Sequence, residues 1–292
     1  MAADGGSTPV TGANRAGPRI VSLLASGTEI VDALGLGGCL VGISHECDHP
    51  PCLLDRPRVS RPRFDPRGLS SGEIDAAVRR AMADHGSVYE IDGQVLDELD
   101  PDIIITQAVC EVCAVPTGGV REVLGARGIE AEVVSLDAHT IGEILASLEQ
   151  VARAAGQPEV SRGPAGSLRA RLDAVREAVR GTGRPRVLGI EWLDPPFAPG
   201  HWVPEMIDLA GGRNLIGEAG RPSRETTWER GRGSRSGRAP HHALRLRARS
   251  RPRGRRRCTR SASCASRRAP SPRAGPGSST PPPTSTARAP AS

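Results

Sequence analysis

Lysine is absent from all 292 residues, and large rings are scarce: three Trp, one Tyr and two Phe. A core must therefore be built from aliphatic side chains, and any place where aromatics gather stands out. No apolar run approaches the roughly 20 residues that a membrane-crossing helix needs, which excludes an integral helical membrane protein. From Met1 to Pro18 no basic stretch precedes an apolar one, and the first cysteine is Cys39. Neither a signal peptide nor a lipid-bearing cysteine is legible, so the chain as written reads as soluble and cytoplasmic. Acidic side chains are missing from one end: residues 230–292 hold 17 of the 39 basic residues and none of the 33 acidic ones. Residues 1–229 are left net negative. Seven cysteines is an odd number, and Cys39, Cys47, Cys52, Cys110 and Cys113 before the basic end form no obvious disulfide framework.

What is present alternates. After a polar stretch, 1–18, expected to be disordered, apolar runs at Ile20–Leu24, Leu40–Ile43, Ile103–Ile105 and Val133–Leu136 suit strands buried on both faces of a parallel sheet. Between them lie helix starts marked by a hydroxyl three residues before a glutamate: Ser26 with Glu29, Ser70 with Glu73, Thr140 with Glu143. The second heads an amphipathic stretch with Ile74, Ala77, Val78 and Ala81 on one face. Residues 19–139 thus read as an α/β lobe. A helical region follows over 140–184, broken near Gly156–Gly166, with Leu168, Leu172, Val175 and Val179 on its later apolar face. A strand at Pro185–Ile190 opens a second, partial α/β unit over 185–229. Its helix starts at Val203 with Pro204 in the first turn and stops at Gly211 and Gly212. Beyond, 230–292 shows no apolar periodicity and is expected to be disordered.

Four polar clusters sit where strands end, the place where open α/β sheets bind ligands. They supply the candidate ligand-binding residues: Ser26 and Thr28; His45, Glu46 and Cys47; Cys110, Glu111 and Cys113; and Glu191, Trp192, Phe197, His201 and Trp202. Trp192 and Trp202, close together in a chain so poor in rings, suggest a surface on which a flat ligand stacks, the alternative being that both cap a core. Arg61 and Arg63 could reach phosphate or carboxamide groups by forked hydrogen bonds. Cys110 and Cys113 also allow a metal site, completed by His45, Cys47 or His201, or a reversible thiol pair, and His45 could ligate a cobalt ion. No catalytic set is evident: Ser22 and Ser26 lack His and carboxylate partners in meaningful context, and there is no Walker-type phosphate loop. An enzyme is not expected.

The opening RIVSLLASGTEIVDALGLG, the segment VGISHECDHPP, the run DPDIIITQAVCEVCAV and the stretch EWLDPPFAPGHWVPEMIDLAGG, in this order, resemble the substrate-binding proteins of ABC importers for cobalamin and iron complexes. The resemblance covers residues 19 to about 229. It implies two Rossmann-like lobes joined by a long helix, with the ligand in the cleft between them. It also implies cobalamin or a related corrinoid as the transported ligand, with no resident cofactor or metal, a monomer, and an extracytoplasmic site of action. Delivery to a membrane permease would use acidic docking points, for which Glu73 on the first lobe and Glu205 or Asp208 on the second are the matching positions. Ala25 stands where such proteins commonly have Pro.

The Arg-rich end admits two readings. One is a nucleic-acid-binding tail acting through charge. The other, which is preferred and leaves no nucleic-acid partner, is a shift of reading frame: a coding sequence fitted to Arg230–Arg247 and moved by one base reads GVAAADPDVLLIMPCGF, a helix end, a turn and an apolar strand. The second lobe is then incomplete.

Overall fold

A computed structural model describes residues 17–109, 112 and 114–233. Cys110, Glu111, Cys113 and residues 234–292 lie outside the described residues, and with them the thiol-pair and nucleic-acid readings. In the first lobe the chain runs through β1 (Ile20–Ser22), α1 (Ala25–Ala33), β2 (Leu40–Ile43), β3 (Ser60–Pro62), α2 (Ser71–His85), β4 (Tyr89–Ile91), α3 (Gly93–Leu99), β5 (Ile103–Thr106), α4 (Thr117–Arg127) and β6 (Glu132–Ser135). Strands β2, β1, β5 and β6 form, in that order, a parallel sheet. The three consecutive isoleucines explain why it is covered on both faces. Ile103 and Ile105 point into the core shared with Val31, Leu40 and Leu148, whereas Ile104 points into the other, with Leu96, Val120 and Leu124.

Two of the three expected capping boxes form. Ser70 and Thr140 each accept from the backbone N–H of the glutamate three residues on, and Glu73 and Glu143 answer through the cap residue's own N–H. The Ser26 box does not: α1 starts one residue before it, with Leu24 in the cap position and no side-chain cap bond, so Ser26 is an exposed residue inside the helix. The antiparallel pair β3–β4 has no apolar signature; Arg61 lies opposite Glu90 in its register. Nor are the cysteines all free, because Cys39 and Cys52 are both disulfide-bonded. They sit on segments that pack together, Gly37 lying against the Leu53 side chain.

The spacer divides into α5 (Ile141–Ala154) and α6 (Arg162–Ala178), separated by Gly156 in a left-handed conformation and a 3-10 turn over Pro158–Ser161. Pro164 falls in the first turn of α6, where its missing N–H costs nothing. The second lobe holds β7 (Arg186–Val187), β8 (Trp192–Leu193), β9 (Pro196–Ala198), α7 (Val203–Leu209), β10 (Arg213–Asn214), β11 (Arg224–Glu225) and α8 (Trp228–Gly233). The helix with Pro204 in its first turn forms as expected. The expected strand over 185–190 shrinks to two residues, because β10 is the only strand paired with it among the described residues. α8 carries the chain into the segment read as tail as far as Gly233. Among the described residues no helix is long and apolar enough to cross a membrane.

Candidate functional site

Strand order in the first lobe reverses at β1: the chain moves to β2 on one side, then returns to β5 and β6 on the other. The carboxyl ends of the strands flanking such a reversal leave a crevice, since the loops that follow them diverge. Here Leu23 after β1, Ser44, His45 and Glu46 after β2, and Ala114 and Val115 after β5 meet Ser60 and Tyr89 from the β3–β4 pair, packed closely enough to leave no room for a water molecule among them.

His45 is partly buried and has both polar and aromatic neighbours. Its Nδ1 lies 2.9 Å from Ser60 Oγ and its ring sits 4.9 Å from that of Tyr89. Nε2 is buried and 3.2 Å from Glu46 Oε1, but the alignment is not that of a hydrogen bond, so the contact is one of charge and proximity. Burial lowers the imidazole pKa, the neighbouring Glu46 opposing it and Arg58 reinforcing it. The Tyr89 hydroxyl donates to Val112 O, tying this cluster to the loop after β5. Tyr89 was not among the candidates. Its one signal in the sequence is that it is the chain's single tyrosine.

Thr28 and Cys47 face elsewhere. Both are buried, with Thr28 Oγ1 and Cys47 Sγ 3.1 Å apart, and burial raises the thiol pKa. They join α1 to the β2–β3 loop rather than line the crevice, contrary to expectation. Arg61 donates to Glu90 Oε2 at 3.1 Å, and Arg63 lies 4.0 Å from the same carboxylate.

On the second lobe, the loop from β9 into α7 presents His201 and Trp202. His201 adopts φ +50°, a conformation that side-chain-bearing residues rarely take, fixed by its N–H donating to Arg221 O and by Gly220 N–H donating to its carbonyl. Glu191 supports this loop, accepting from Gly200 N–H at 3.2 Å and from the Ser223 hydroxyl. Trp202 has the His201 ring as its aromatic neighbour, at 5.8 Å. Trp192 is placed separately, in β8 opposite Phe197, its Nε1 donating to Asp194 O. Both indoles are half-buried, so neither is a core residue.

The two lobes meet at titratable groups. His139, after β6, and His201 approach with Nδ1 atoms 3.2 Å apart, one donating and the other accepting. Burial and His139 together lower the His201 pKa, with Glu191 opposing. Glu205 Oε2 accepts from Ile141 N–H at 2.8 Å, closing the first turn of α5 from the opposite lobe. Farther out, Arg79 on α2 lies 3.5 Å from Glu225 and Gly72 packs beside the Asp194 carboxylate. Of the three acidic docking candidates, Glu73 is exposed within its capping box and Asp208 accepts from Arg184 at 2.6 Å. Glu205 has the interlobe role just described. Among the described residues no group of three or more His, Cys, Asp or Glu is arranged to hold a metal ion.

No family model matches the chain. The vitamin B12-binding protein of Vibrio cholerae serotype O1, in strain ATCC 39541 and equally in strain M66-2, is 28% identical over 205 residues, 69% of this chain and 62% of the relative. The chain therefore spans less than two thirds of that relative's length. Among solved structures, the periplasmic vitamin B12 binding protein BtuF of Vibrio cholerae matches with a TM-score of 0.53 and 24% identity, over 76% of this chain and 74% of that one. The periplasmic heme-binding protein RhuT from Roseiflexus sp. RS-1, in apo form, matches at 0.54 with 22% identity, over 75% and 73%. HutB, a periplasmic heme binding protein of Vibrio cholerae, matches at 0.52 with 18% identity, over 73% and 71%. The fold is that of the two-lobed periplasmic binding proteins, and the resemblance to the B12-binding type, first read from four motifs, is borne out by the sequence relative.

Proposed function

We propose that the chain is the ligand-binding component of an ABC importer and that it takes cobalamin or a related corrinoid between its lobes, acting outside the cytoplasm. The observation that carries this is the 28% identity over 205 residues to vitamin B12-binding proteins. The site's chemistry agrees with a large, flat, amphipathic ligand. One lobe offers Tyr89 and His45, the other Trp202 and His201, with Trp192 at the rim. A disulfide at Cys39 and Cys52 suits an oxidising compartment, where such bonds form and persist. Ser26, Glu46, Arg61, Arg63, Glu191 and Phe197 remain within the proposal as candidate contacts or supports of the rim. Glu73, with its carboxylate exposed on the first lobe, is the acidic group best placed to meet a permease.

Calorimetric titration of the purified full-length chain with cyanocobalamin and, separately, with hemin tests the ligand. Saturable binding of cyanocobalamin at or below about 10 µM, tighter than hemin, supports the proposal. Hemin bound more tightly than cyanocobalamin moves the ligand to the heme type represented by RhuT and HutB. Heat from neither ligand, with the protein folded, rejects it.

A further inference from the structure

Arg58 lies seven residues past the end of the second motif and was not among the candidate site residues. It stands just before β3, where Ile43 and Arg58 form an isolated parallel bridge and Val59 N–H donates to Ile43 O. From there its side chain turns back under the loop that leaves β2. A single nitrogen, Nη1, lies 2.6 Å from Ser44 O, 2.8 Å from Cys47 O and 3.3 Å from His45 O. Those three carbonyls belong to a turn that neither helix nor sheet satisfies, apart from the bond from Cys47 N–H to Ser44 O. Left alone they would point like dipoles at one another. A cation at their focus makes the conformation stable, because hydrogen bonds from a charged donor are roughly twice as strong as neutral ones.

We propose that Arg58 is a positioning residue: by gathering the carbonyls of Ser44, His45 and Cys47 around its guanidinium it fixes the turn that presents His45 and Glu46 to the ligand crevice. That role rests on the reading of the crevice as the ligand site. The turn's other ties are few. His45 N–H and Nδ1 both reach Ser60 Oγ, and Glu46 N–H donates to Ser44 Oγ. These fix the His45 side chain only if the backbone beneath it is already in place. The groups facing the His45 ring are Ser60, Tyr89, the Glu46 carboxylate and the Arg58 charge, so Arg58 acts on the imidazole both through the backbone and through space.

The test uses the full-length chain and two variants, Arg58→Met, which keeps bulk without the donor, and Arg58→Lys, whose ammonium offers three hydrogens to the same carbonyls. Three quantities are measured: cyanocobalamin affinity, the NMR titration of His45, assigned by its loss in His45→Gln, and the backbone amide shifts of residues 44–47. Arg58→Met should weaken binding by about tenfold or more. It should also raise the His45 midpoint, since a positive neighbour has gone, while the thermal midpoint stays within a few degrees. Arg58→Lys should restore both affinity and titration to near the parent values. An unchanged His45 titration in Arg58→Met overturns the proposal, and so does a failure of Arg58→Lys to restore it. If the parent chain binds no cyanocobalamin, the ligand reading falls, while the backbone amide shifts of residues 44–47, displaced in Arg58→Met and restored in Arg58→Lys, still decide whether Arg58 sets the turn.

Discussion

His201 concentrates three constraints in one residue: a left-handed backbone, a ring on Trp202, and a nitrogen on His139 across the lobe boundary. Its pKa and that of His45 are both lowered, chiefly by burial. An imidazole lowered in the folded protein takes up its proton more readily in the unfolded chain. Its contribution to stability is therefore complete above the ordinary value near 6.5 and is lost as pH falls from there through the folded value. The melting temperature should drop between pH 7.5 and 5.5, and His201→Asn should make that drop shallower; a melting temperature that rises on acidification would contradict the assignment. The carboxylates with lowered pKa, among them Asp65 at about 2, stay charged in this window and do not confuse the result. Trp192 and Trp202 make a second residue-scale prediction. Since both are half-buried, replacing either by Ala should cost binding more than folding, on the order of 1 kcal/mol or more of cyanocobalamin affinity. The two losses should not add if both rings touch one ligand. Mutants that melt early but bind normally when folded would show the indoles to be structural.

At the scale of elements, what could be read in advance followed from burial on two faces. Ile103–Ile105 announced β5 because a central parallel strand needs apolar side chains on both sides, and Ser70 and Thr140 announced α2 and α5 because their hydroxyls have a glutamate at the right distance. The β3–β4 pair was illegible: Ser60, Arg61 and Pro62 carry no strand pattern, and the segment entering β3 is held by contact with the sheet edge, where Val59 N–H donates to Ile43 O. The same illegibility hid Tyr89 and Arg58, whose partners are 23 and up to 14 residues away in the chain. Thr28 and Cys47 misled for a related reason, since polarity near a strand end fits an inward hydrogen bond as well as a ligand contact. The loop from β9 to α7 offers a direct test of element geometry. A Cβ on Gly200 would collide with the backbone of Arg221–Ser223. Gly200→Ala should therefore destabilise the chain by about 1–3 kcal/mol, measured by urea unfolding, and displace His201 and Trp202 with it. An unchanged midpoint would mean that this loop is not held against residues 221–223.

Among the described residues the two lobes are unequal. The first buries Ile20, Ile104 and Ile105 completely, whereas Val175, Leu188 and Met206 around the two-stranded β7–β10 sheet are 45%, 40% and 52% exposed. A two-stranded sheet covers little of the apolar faces of the helices beside it. Amide exchange should accordingly be slow at β1, β2 and β5 and fast at β7 and β10, because opening the second lobe exposes little that is buried. Equal protection in both lobes would show the second to be stabilised by contacts other than those described. The central claim is that one ligand lies between these unequal halves, against His45, Glu46 and Tyr89 on one side and His201 and Trp202 on the other. Hydrogen exchange of the full-length chain with and without saturating cyanocobalamin, read by mass spectrometry, tests it most directly. The account predicts slowed exchange at residues 44–47 and 200–203 together, with β6 and the exposed face of α6 unchanged; slowing confined to one lobe, or no slowing at either loop, would contradict it.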